Sequence, residues 1–431
     1  MTTQFVGPMA FGVPVEFLLF AVVLAGVAVF HNHTLQVALT GVAAILFHKL
    51  VFTGFQHGAG LSGMLAHFQH EWVILANLFC LLMGFALLSN HFEQSKIPDL
   101  LPRFLPGGWM GGFALLLLIF ILSSFLDNIA AALIGGSIAT IVFRGQVHVG
   151  YLAAIVAASN AGGAGSVVGD TTTTMMWIAG ISPLAVVHAY TAAIVALVLC
   201  GVPAAMQQHK LSPISATASG EAPIDWARAM IVAIILVMAI VVNILVNVHY
   251  NEISDTFPFI GVAVWVAILA TAPIRKPAWE LMPETFKGSL FLLSLVLCAS
   301  LMPVEKLPVA SWQTAFGLGF VSAVFDNIPL TALAIKQGGY DWGVLAYAVG
   351  FGGSMIWFGS SAGVALSSHF PEARSVVNWL RHGWHVTIAY IIGFLAMLAL
   401  VGWHPTMDRY HNGNPAATQP AIHDAATTGE R

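Results

Sequence analysis

Two stretches of sequence decide the fold: SSFLDNIAAAL at 123–133 and SAVFDNIPLTAL at 322–333. Each places an Asp-Asn pair between apolar arms, and Asp127 and Asp326 lie 199 positions apart. Of the 431 residues, 58% are hydrophobic and 8% are charged, whereas soluble proteins carry about 25% charged residues. The sequence therefore predicts an all-α polytopic membrane protein in which both pairs lie at membrane depth.

The composition excludes several classes of function. A mean hydropathy of +0.85 excludes a water-soluble enzyme and a disordered protein. With 15 basic and 19 acidic residues, the chain lacks the polycationic surface of a nucleic-acid binder. The sequence contains no Walker lysine loop, nucleophile elbow or zinc-ligand pair, so an enzyme is not indicated. The lipid bilayer is therefore the predicted surrounding of the chain.

Apolar stretches of about one membrane crossing each occur eight times. They cover 14–30, 34–54, 71–89, 183–206, 227–248, 257–272, 287–303 and 376–402. Four longer stretches are interrupted near the middle by polar residues: 112–142, 148–180, 308–337 and 340–370. Because unpaired backbone groups are costly in hydrocarbon, such interruptions indicate backbone that lines protein or a water-filled cavity.

The interruptions are similar in the two halves. SNAGGAGSVVGD (159–170) follows the first Asp-Asn pair and GSSAGVALS (359–367) follows the second. We pair Ala161-Gly162 with Ala362-Gly363, which are 201 positions apart. The apolar arms on either side of the Asp-Asn pair have about 14 residues each. As helices they would reach roughly 21 Å, which is too short to cross the membrane. We therefore expect 112–142 and 308–337 to be re-entrant hairpins, and the two glycine-rich stretches to be crossing helices that unwind in the middle.

Five crossings separate the two hairpins, so the hairpins enter from opposite faces. The sequence predicts an inverted repeat of five transmembrane helices plus one re-entrant hairpin each, giving ten spans and two hairpins. The first repeat covers 1–206, the central linker 207–226 and the second repeat 227–402. The polar tail, 403–431, is predicted to be disordered.

Basic residues are concentrated on one side of this topology. The richer side, predicted to be cytoplasmic, carries Lys96, Arg103, Arg144, Lys210, Arg228, Arg275, Lys276, Lys287, Arg374 and Arg381. We therefore expect an integral protein of a bacterial inner membrane with both termini on the non-cytoplasmic side.

Three carboxylates fall inside the hydrophobic stretches: Asp127, Asp170 and Asp326. A charge at the bilayer centre costs about 2.5–3.5 kcal/mol, so such residues usually mark ion or proton pathways. The alternative is a buried ion pair, but no Lys or Arg is adjacent in sequence. The other carboxylates and most histidines, His67 and His91 among them, are expected in loops or near span ends as polar anchors.

The neighbours of the three aspartates are oxygen donors, which suit a hard cation. Asn128 and Asn327 offer amide oxygens and Thr171 to Thr174 offer hydroxyls, although threonines also bond to a carbonyl one turn earlier. Further donors at the interruptions are Ser159, Asn160, Ser360 and Ser361. We predict a Na⁺ site at Asp127, Asp170 and Asp326, where a cation and a proton compete for the same carboxylates.

Along the chain, LDNI (126–129), NAGGA (160–164), GDTTTTMMWI (169–178), FDNIP (325–329) and GSSAGVA (359–365) resemble the ion transporter superfamily. They are most similar to its NhaD-type sodium/proton antiporters. The superfamily also contains arsenite permeases and citrate or dicarboxylate carriers.

The resemblance implies an often dimeric fold in which the ion-binding part moves like an elevator against a scaffold. It also implies that the transport residues are Asp127, Asn128, Asn160, Asp170, Thr172, Thr173 and Asp326, with Ser360 and Ser361 less closely matched. The antiporters carry a bulky aromatic residue and a proline after AGGA, where this chain has Gly165 and Val168.

Two functions therefore stay open. The first is exchange of Na⁺ or Li⁺ for H⁺ without a resident cofactor. The second is a cation-coupled permease for citrate, a dicarboxylate or another anion, which the smaller loop would accommodate.

Overall fold

The computed structural model describes residues 7–30, 33–56, 58–97, 100, 105–214, 223–250, 253 and 256–406. Within these ranges the regular structure is helical, apart from a two-residue antiparallel pair and one isolated bridge. The pair joins Met9–Ala10 to Val13–Pro14. The all-α prediction is confirmed.

The α-helices are numbered in chain order. They are α1 (Val15–Val29), α2 (Thr34–His48), α3 (Gly60–Gln94), α4 (Trp109–Ser123), α5 (Asn128–Val142), α6 (Val149–Ala164), α7 (Thr171–Ile178), α8 (Leu184–Val187), α9 (Ala189–Leu211), α10 (Trp226–Ile244), α11 (Phe259–Thr271), α12 (Met282–Ser300), α13 (Trp312–Ser322), α14 (Asn327–Gln337), α15 (Trp342–Gly352), α16 (Ser361–His369), α17 (Val376–His382) and α18 (Trp384–Leu400). Single π-helical turns, Lys49–Thr53 and Leu245–His249, extend α2 and α10.

Five helical segments are long and apolar enough to cross a membrane, and the bent pair α17 and α18 makes up to six. The five are Thr34–Thr53, Gly60–Gln94, Leu184–Leu211, Trp226–Ile244 and Trp279–Ser300. Shorter apolar helices, α4, α5 and α6 among them, are interspersed with these segments. The chain is a polytopic membrane protein.

The four predicted interruptions are confirmed at their positions. Helices α5 and α14 begin directly after Asp127 and Asp326. Helix α7 begins after Asp170, and α16 begins after Ser360. Each of these four helices therefore starts in the interior of the protein, at an interruption between two helices.

One expectation about the spans is wrong. The stretch predicted as 71–89 belongs to α3, a helix of 35 residues that begins at Gly60. His67 and Glu71 consequently lie inside this helix and are only 2% and 8% exposed. Sequence hydropathy missed them because their polar partners come from other helices. The predicted span 376–402 is the bent pair of α17 and α18, which meet at 62°.

The pairing of Ala161-Gly162 with Ala362-Gly363 stays a prediction, and the contacts of these glycines differ. Gly162 lies in the last turn of α6, where a Cβ would lie 2.0 Å from the Phe120 carbonyl oxygen. Gly363 lies beyond the break, in α16. A close contact similar to that of Gly162 occurs at Gly352, the last residue of α15, where a Cβ would lie 2.4 Å from the Gly319 carbonyl oxygen.

The broken helices form the centre of the molecule. Every residue of α15 and every residue of α6 from Gly150 onward is buried. A second apolar cluster, which includes Phe20, Ala38, Ile45 and Leu295, holds α1, α2, α3 and α12 together. The interruptions thus lie between a buried central group of helices and a second group of long helices. The predicted linker is described only at its two ends, and of the tail only 403–406 is described.

Candidate cation site

Each of the four interior helix starts is capped by a side chain. The carboxylates of Asp127, Asp170 and Asp326 accept hydrogen bonds from the backbone N–H groups two residues later, at 3.1, 3.3 and 3.0 Å. Ser360 caps α16 by accepting from the Gly363 N–H at 3.3 Å. Because a helix N-terminus carries partial positive charge, these caps favour carboxylate groups at depth.

Asn160 connects the two halves of the site and is fully buried. Its amide oxygen accepts from the Asn128 side chain at 2.9 Å. Its amide nitrogen donates to the hydroxyls of Ser354 at 2.9 Å and Ser360 at 3.1 Å. Asn128 also donates to Asp170 at 3.4 Å. The two broken crossing helices are thereby joined to the first hairpin tip through hydrogen bonds.

The threonines after Asp170 divide into two roles. The Thr172 hydroxyl donates to the Asp170 carboxylate at 2.7 Å. The Thr173 hydroxyl instead donates to backbone carbonyls of the unwound segment, at 2.5 Å to Ser166 and 2.9 Å to Asp170. Thr174 does the same with Val167 at 2.9 Å. Thr172 therefore orients the carboxylate, whereas Thr173 and Thr174 satisfy the backbone of the break.

The second Asp-Asn pair is less constrained. The Ser361 hydroxyl donates to the Asp326 carboxylate at 2.9 Å. Asn327 is only 2% exposed, and among the described residues its side-chain nitrogen has no hydrogen-bond partner. Its equivalent in the first half, Asn128, makes two such bonds. A buried amide N–H without a partner is costly, so Asn327 is positioned to donate to a water molecule or to another acceptor in the cavity.

A cavity of about 480 Å³ reaches this site. At its inner end it is lined by Asp127, Asn128, Asp170, Thr171, Asn327 and Ser361. Asp326 does not line the cavity and contacts it through Ser361. Among the described residues that line the cavity there is no Lys or Arg. The ionisable groups that line the cavity are Asp127, Asp170, Glu93 and His369. Such an acidic lining suits a cation.

Three donors predicted at the interruptions lie away from the cavity. Asn160 and Ser360 lie behind its wall, where they hold the site together. Ser159 donates to the Val156 carbonyl at 2.9 Å within its own helix. Its own carbonyl accepts from Ser123 at 2.6 Å, which fixes the first hairpin against α6.

Sequence reasoning missed several residues of the site. Ser354, which contacts Asn160, stands next to the second break in the motif GGS, and this position was a signal for it. Ser89, Asn90 and Glu93 line the outer part of the cavity from α3. Their spacing of three and four places them on one helix face, which a span-by-span interpretation of hydropathy overlooks.

Comparison with known proteins gives relatives but no family model that matches. Sodium/proton antiporter 1 of Arabidopsis thaliana is 28% identical over 362 residues, which are 74% of this chain and 59% of that protein. The chain thus spans less than two thirds of that relative. Na⁺/H⁺ antiporter NhaD of Alkalimonas amylolytica is 25% identical over 397 residues, covering 78% and 79%. NhaD of Vibrio parahaemolyticus is 23% identical over 401 residues, covering 78% and 92%.

The predicted resemblance is confirmed: this chain is a distant homologue of Na⁺/H⁺ antiporters, NhaD proteins among them. These relatives are transporters rather than enzymes.

Proposed function

We propose that the protein is a secondary active transporter that exchanges Na⁺, or Li⁺, for H⁺ across the membrane by alternating access. One observation carries this proposal: Asp127 and Asp170 line the same interior cavity, which has no Lys or Arg among its described lining residues. Carboxylates that face an interior cavity without a basic partner need another positive species, and a metal cation or a proton supplies it.

The exchange follows from competition for these carboxylates. Asp127 and Asp170 lie within electrostatic range of each other, as do Asp170 and Asp326. A cation between them relieves this repulsion, and when it leaves, protons take its place. The exchange requires that the site opens to the other side of the membrane only when the carboxylates are neutralised. Outward movement of the cation is then coupled to inward movement of protons, or the reverse.

Each predicted site residue has a role in this proposal. The carboxylates of Asp127, Asp170 and Asp326 carry charge, and the oxygens of Asn128, Asn327 and Ser361 complete the shell. Thr172 and Asn160 orient these ligands, Ser360 anchors Asn160, and Thr173 stabilises the unwound backbone.

The directions of two helices support an inverted repeat. Helix α5 runs from Asn128 toward Ser137, which lines the same cavity as Glu93 at the C-terminal end of α3. Helix α14 runs from Asn327 toward Lys336, which lines another cavity together with Ala59 at the N-terminal end of α3. The two hairpin arms therefore extend from the aspartates toward opposite ends of α3.

On this basis we propose the complete topology of ten spans and two hairpins. Its repeats are 1–206 and 227–402, with the linker 207–226 between them. The distribution of basic residues supports a bacterial inner membrane with both termini on the non-cytoplasmic side. A homodimer is part of the proposal, by analogy with the superfamily.

The size of the cavity favours a second candidate, a cation-coupled citrate or dicarboxylate permease. About 480 Å³ is far more than a bare alkali cation fills and is within the usual range for organic ligands, about 300–1,000 Å³. The absence of Lys and Arg among the described lining residues argues against a polyanion. Exchange of inorganic cations therefore stays the first candidate.

Reconstitution separates the two candidates. Proteoliposomes with an imposed pH gradient and a pH-sensitive dye should dissipate the gradient when Na⁺ or Li⁺ alone is added. Asp127→Asn should abolish this response, whereas Glu284→Gln, at an exposed position of α12, should leave it unchanged. A requirement for citrate or a dicarboxylate would instead support the permease. Full exchange in Asp127→Asn would overturn the assignment of the site.

A further inference from the structure

A second cavity, of about 490 Å³, lies at the other end of the long helices. Among the described residues its ionisable lining comprises Glu16, Lys49, His67, Glu305, Lys306 and Lys336. Glu16 and Lys49 are only 3% and 8% exposed. Buried ionisable groups such as Glu16, Lys49 and His67 are unusual in a membrane protein, and the site described above does not use them.

The two cavities share three helices. Helix α3 lines the first cavity from Leu78 to Glu93 and the second with His67. Helix α14 lines the first with Asn327 and Ile328 and the second with Lys336, and α12 likewise contributes to both. The 11 residues from His67 to Leu78 span roughly 16 Å of helix. The two cavities are therefore two openings of one interface between α3, α12 and α14.

An apolar layer separates the two openings. It consists of Leu78, Met175, Leu295, Ala299 and Ile328, which belong to one buried cluster and are each at most 3% exposed. A hydrated cation cannot cross such a layer, so only the first cavity reaches the aspartates in this conformation.

Lys336 joins the two sides of the interface at the second cavity. Its ammonium group donates to the carbonyl oxygens of Ser300 and Met302, the latter at 2.6 Å. These carbonyls are at the C-terminal end of α12, where partial negative charge favours a cation. Glu71 of α3 lies within electrostatic range of the same ammonium group. Breaking this contact would free α14 to move relative to α12.

We propose that the second cavity is the opening of the cation pathway on the opposite face of the membrane. We further propose that Lys336 is the positioning residue that holds this opening closed. The second statement rests on the proposed alternating access, whereas the first is a statement about geometry that can be tested without transport.

Cysteine labelling tests the geometry. Ser89→Cys in the first cavity and Ala59→Cys in the second are treated with a membrane-impermeant maleimide in right-side-out and in inside-out vesicles. The wild-type cysteines set the background, since Cys200 and Cys298 are fully buried and Cys80 is partly buried. We expect the two variants to be labelled from opposite faces only. Labelling from the same face, or no labelling of Ala59→Cys from either face, would overturn the proposal.

A thiol in the apolar layer tests the role of Lys336. Ala299→Cys should react slowly from the face that reaches Ala59. Adding Lys336→Met should raise this rate at least about fivefold, because the open population increases. Lys336→Arg, which keeps the charge, should restore slow labelling, and Lys287→Met, at an exposed position of α12, should leave the rate unchanged.

An unchanged rate in a folded Lys336→Met protein would contradict the role of Lys336. If Lys336→Met does not fold, the comparison is between Ala299→Cys alone and Ala299→Cys combined with Lys336→Arg. Equal labelling rates of these two proteins agree with the proposal. Faster labelling of the protein with Lys336→Arg would contradict it. The reconstituted wild-type protein could show no Na⁺/H⁺ exchange while Ser89→Cys and Ala59→Cys are still labelled from opposite faces. That result would contradict only the proposed function.

Discussion

The amide nitrogen of Asn160 donates a hydrogen bond to the Ser360 hydroxyl at 3.1 Å, although 200 positions separate the two residues. Through Asn160, the break before α7 and the break before α16 form one buried polar network. The same side chain accepts from Asn128, and Asn128 in turn donates to Asp170. The network therefore links the starts of α5, α7 and α16.

Asn160→Ala should reduce Na⁺/H⁺ exchange more strongly than any other uncharged substitution in the site. It removes one hydrogen bond each from Asn128, Ser354 and Ser360. A hydrogen bond contributes about 0.5–1.5 kcal/mol, and a buried group that is left unsatisfied costs about 1–3 kcal/mol. We expect at least a tenfold loss of exchange rate together with a lower Tm. Ser354→Ala is the control, since it removes one bond of this network and should have the smaller effect in both assays.

Thr172 and Thr173 should respond differently to replacement by valine. Thr172→Val removes the hydroxyl that orients Asp170, so the KM for Na⁺ should rise while the Tm changes little. Thr173→Val removes the hydroxyl that donates to the Ser166 carbonyl of the unwound segment, so the Tm should fall, by an amount that corresponds to about 1–3 kcal/mol. Dye-based exchange assays and thermal unfolding in detergent measure the two effects. The opposite pattern would contradict the division of roles.

Ser361→Ala should weaken the contribution of Asp326. The Ser361 hydroxyl is the group through which this carboxylate contacts the cavity. We expect a several-fold rise in the KM for Na⁺, because a hydrogen bond to a charged group is worth about 1.5–3 kcal/mol. Ser368→Ala, an exposed serine on the same helix, should leave the KM unchanged. If the two variants behave alike, Asp326 acts without Ser361.

Gly162→Ala and Gly317→Ala should change stability in opposite directions. A Cβ at Gly162 would lie 2.0 Å from the Phe120 carbonyl oxygen, so the helices would have to separate, at a cost of about 1–3 kcal/mol. A Cβ at Gly317 meets nothing within 4 Å, and alanine in a helix is up to about 1 kcal/mol better than glycine. Thermal unfolding should therefore show a lower Tm for the first variant and an equal or higher Tm for the second.

Asp225 caps α10 at the membrane surface, and a hydrogen bond from Arg275 at 2.8 Å holds its pKa below the usual value. A lowered pKa in the folded state stabilises the protein above the ordinary aspartate pKa of about 3.9, and this contribution is lost as the pH falls below it. Asp225→Ala should therefore lower the Tm at pH 7. The difference from wild type should shrink in unfolding experiments near pH 3; a constant difference would show that the carboxylate charge is not responsible.

How much the sequence predicts differs between the breaks and the long helices. The positions of Asp127, Asp170, Asp326 and Ser360 at interior helix starts follow from local chemistry. A polar residue that can cap a helix, placed within an apolar run, marks the position where the helical backbone hydrogen bonds are interrupted. These residues could be identified without knowing any partner.

Glu71 and His67 could not be placed in the same way. Both stand in a stretch that is continuous with an apolar helix, and only their partners from other elements explain their burial. Lys336 comes close to Glu71, and Ser300 contacts His67 at 3.1 Å. The same applies to the roles of Thr172 and Thr173, which are adjacent and chemically identical.

The sequence by itself determined that this chain lies in a membrane, that it breaks four times within it, and that acidic groups stand at three of the breaks. These are consequences of hydropathy and of backbone hydrogen bonding, which act along the chain. The tertiary structure alone decided which glycines lie against a neighbouring backbone, that Asn160 bonds to residues of both halves of the chain, and that two cavities share one interface. Those relationships depend on distances between residues far apart in sequence, which local physical chemistry does not fix.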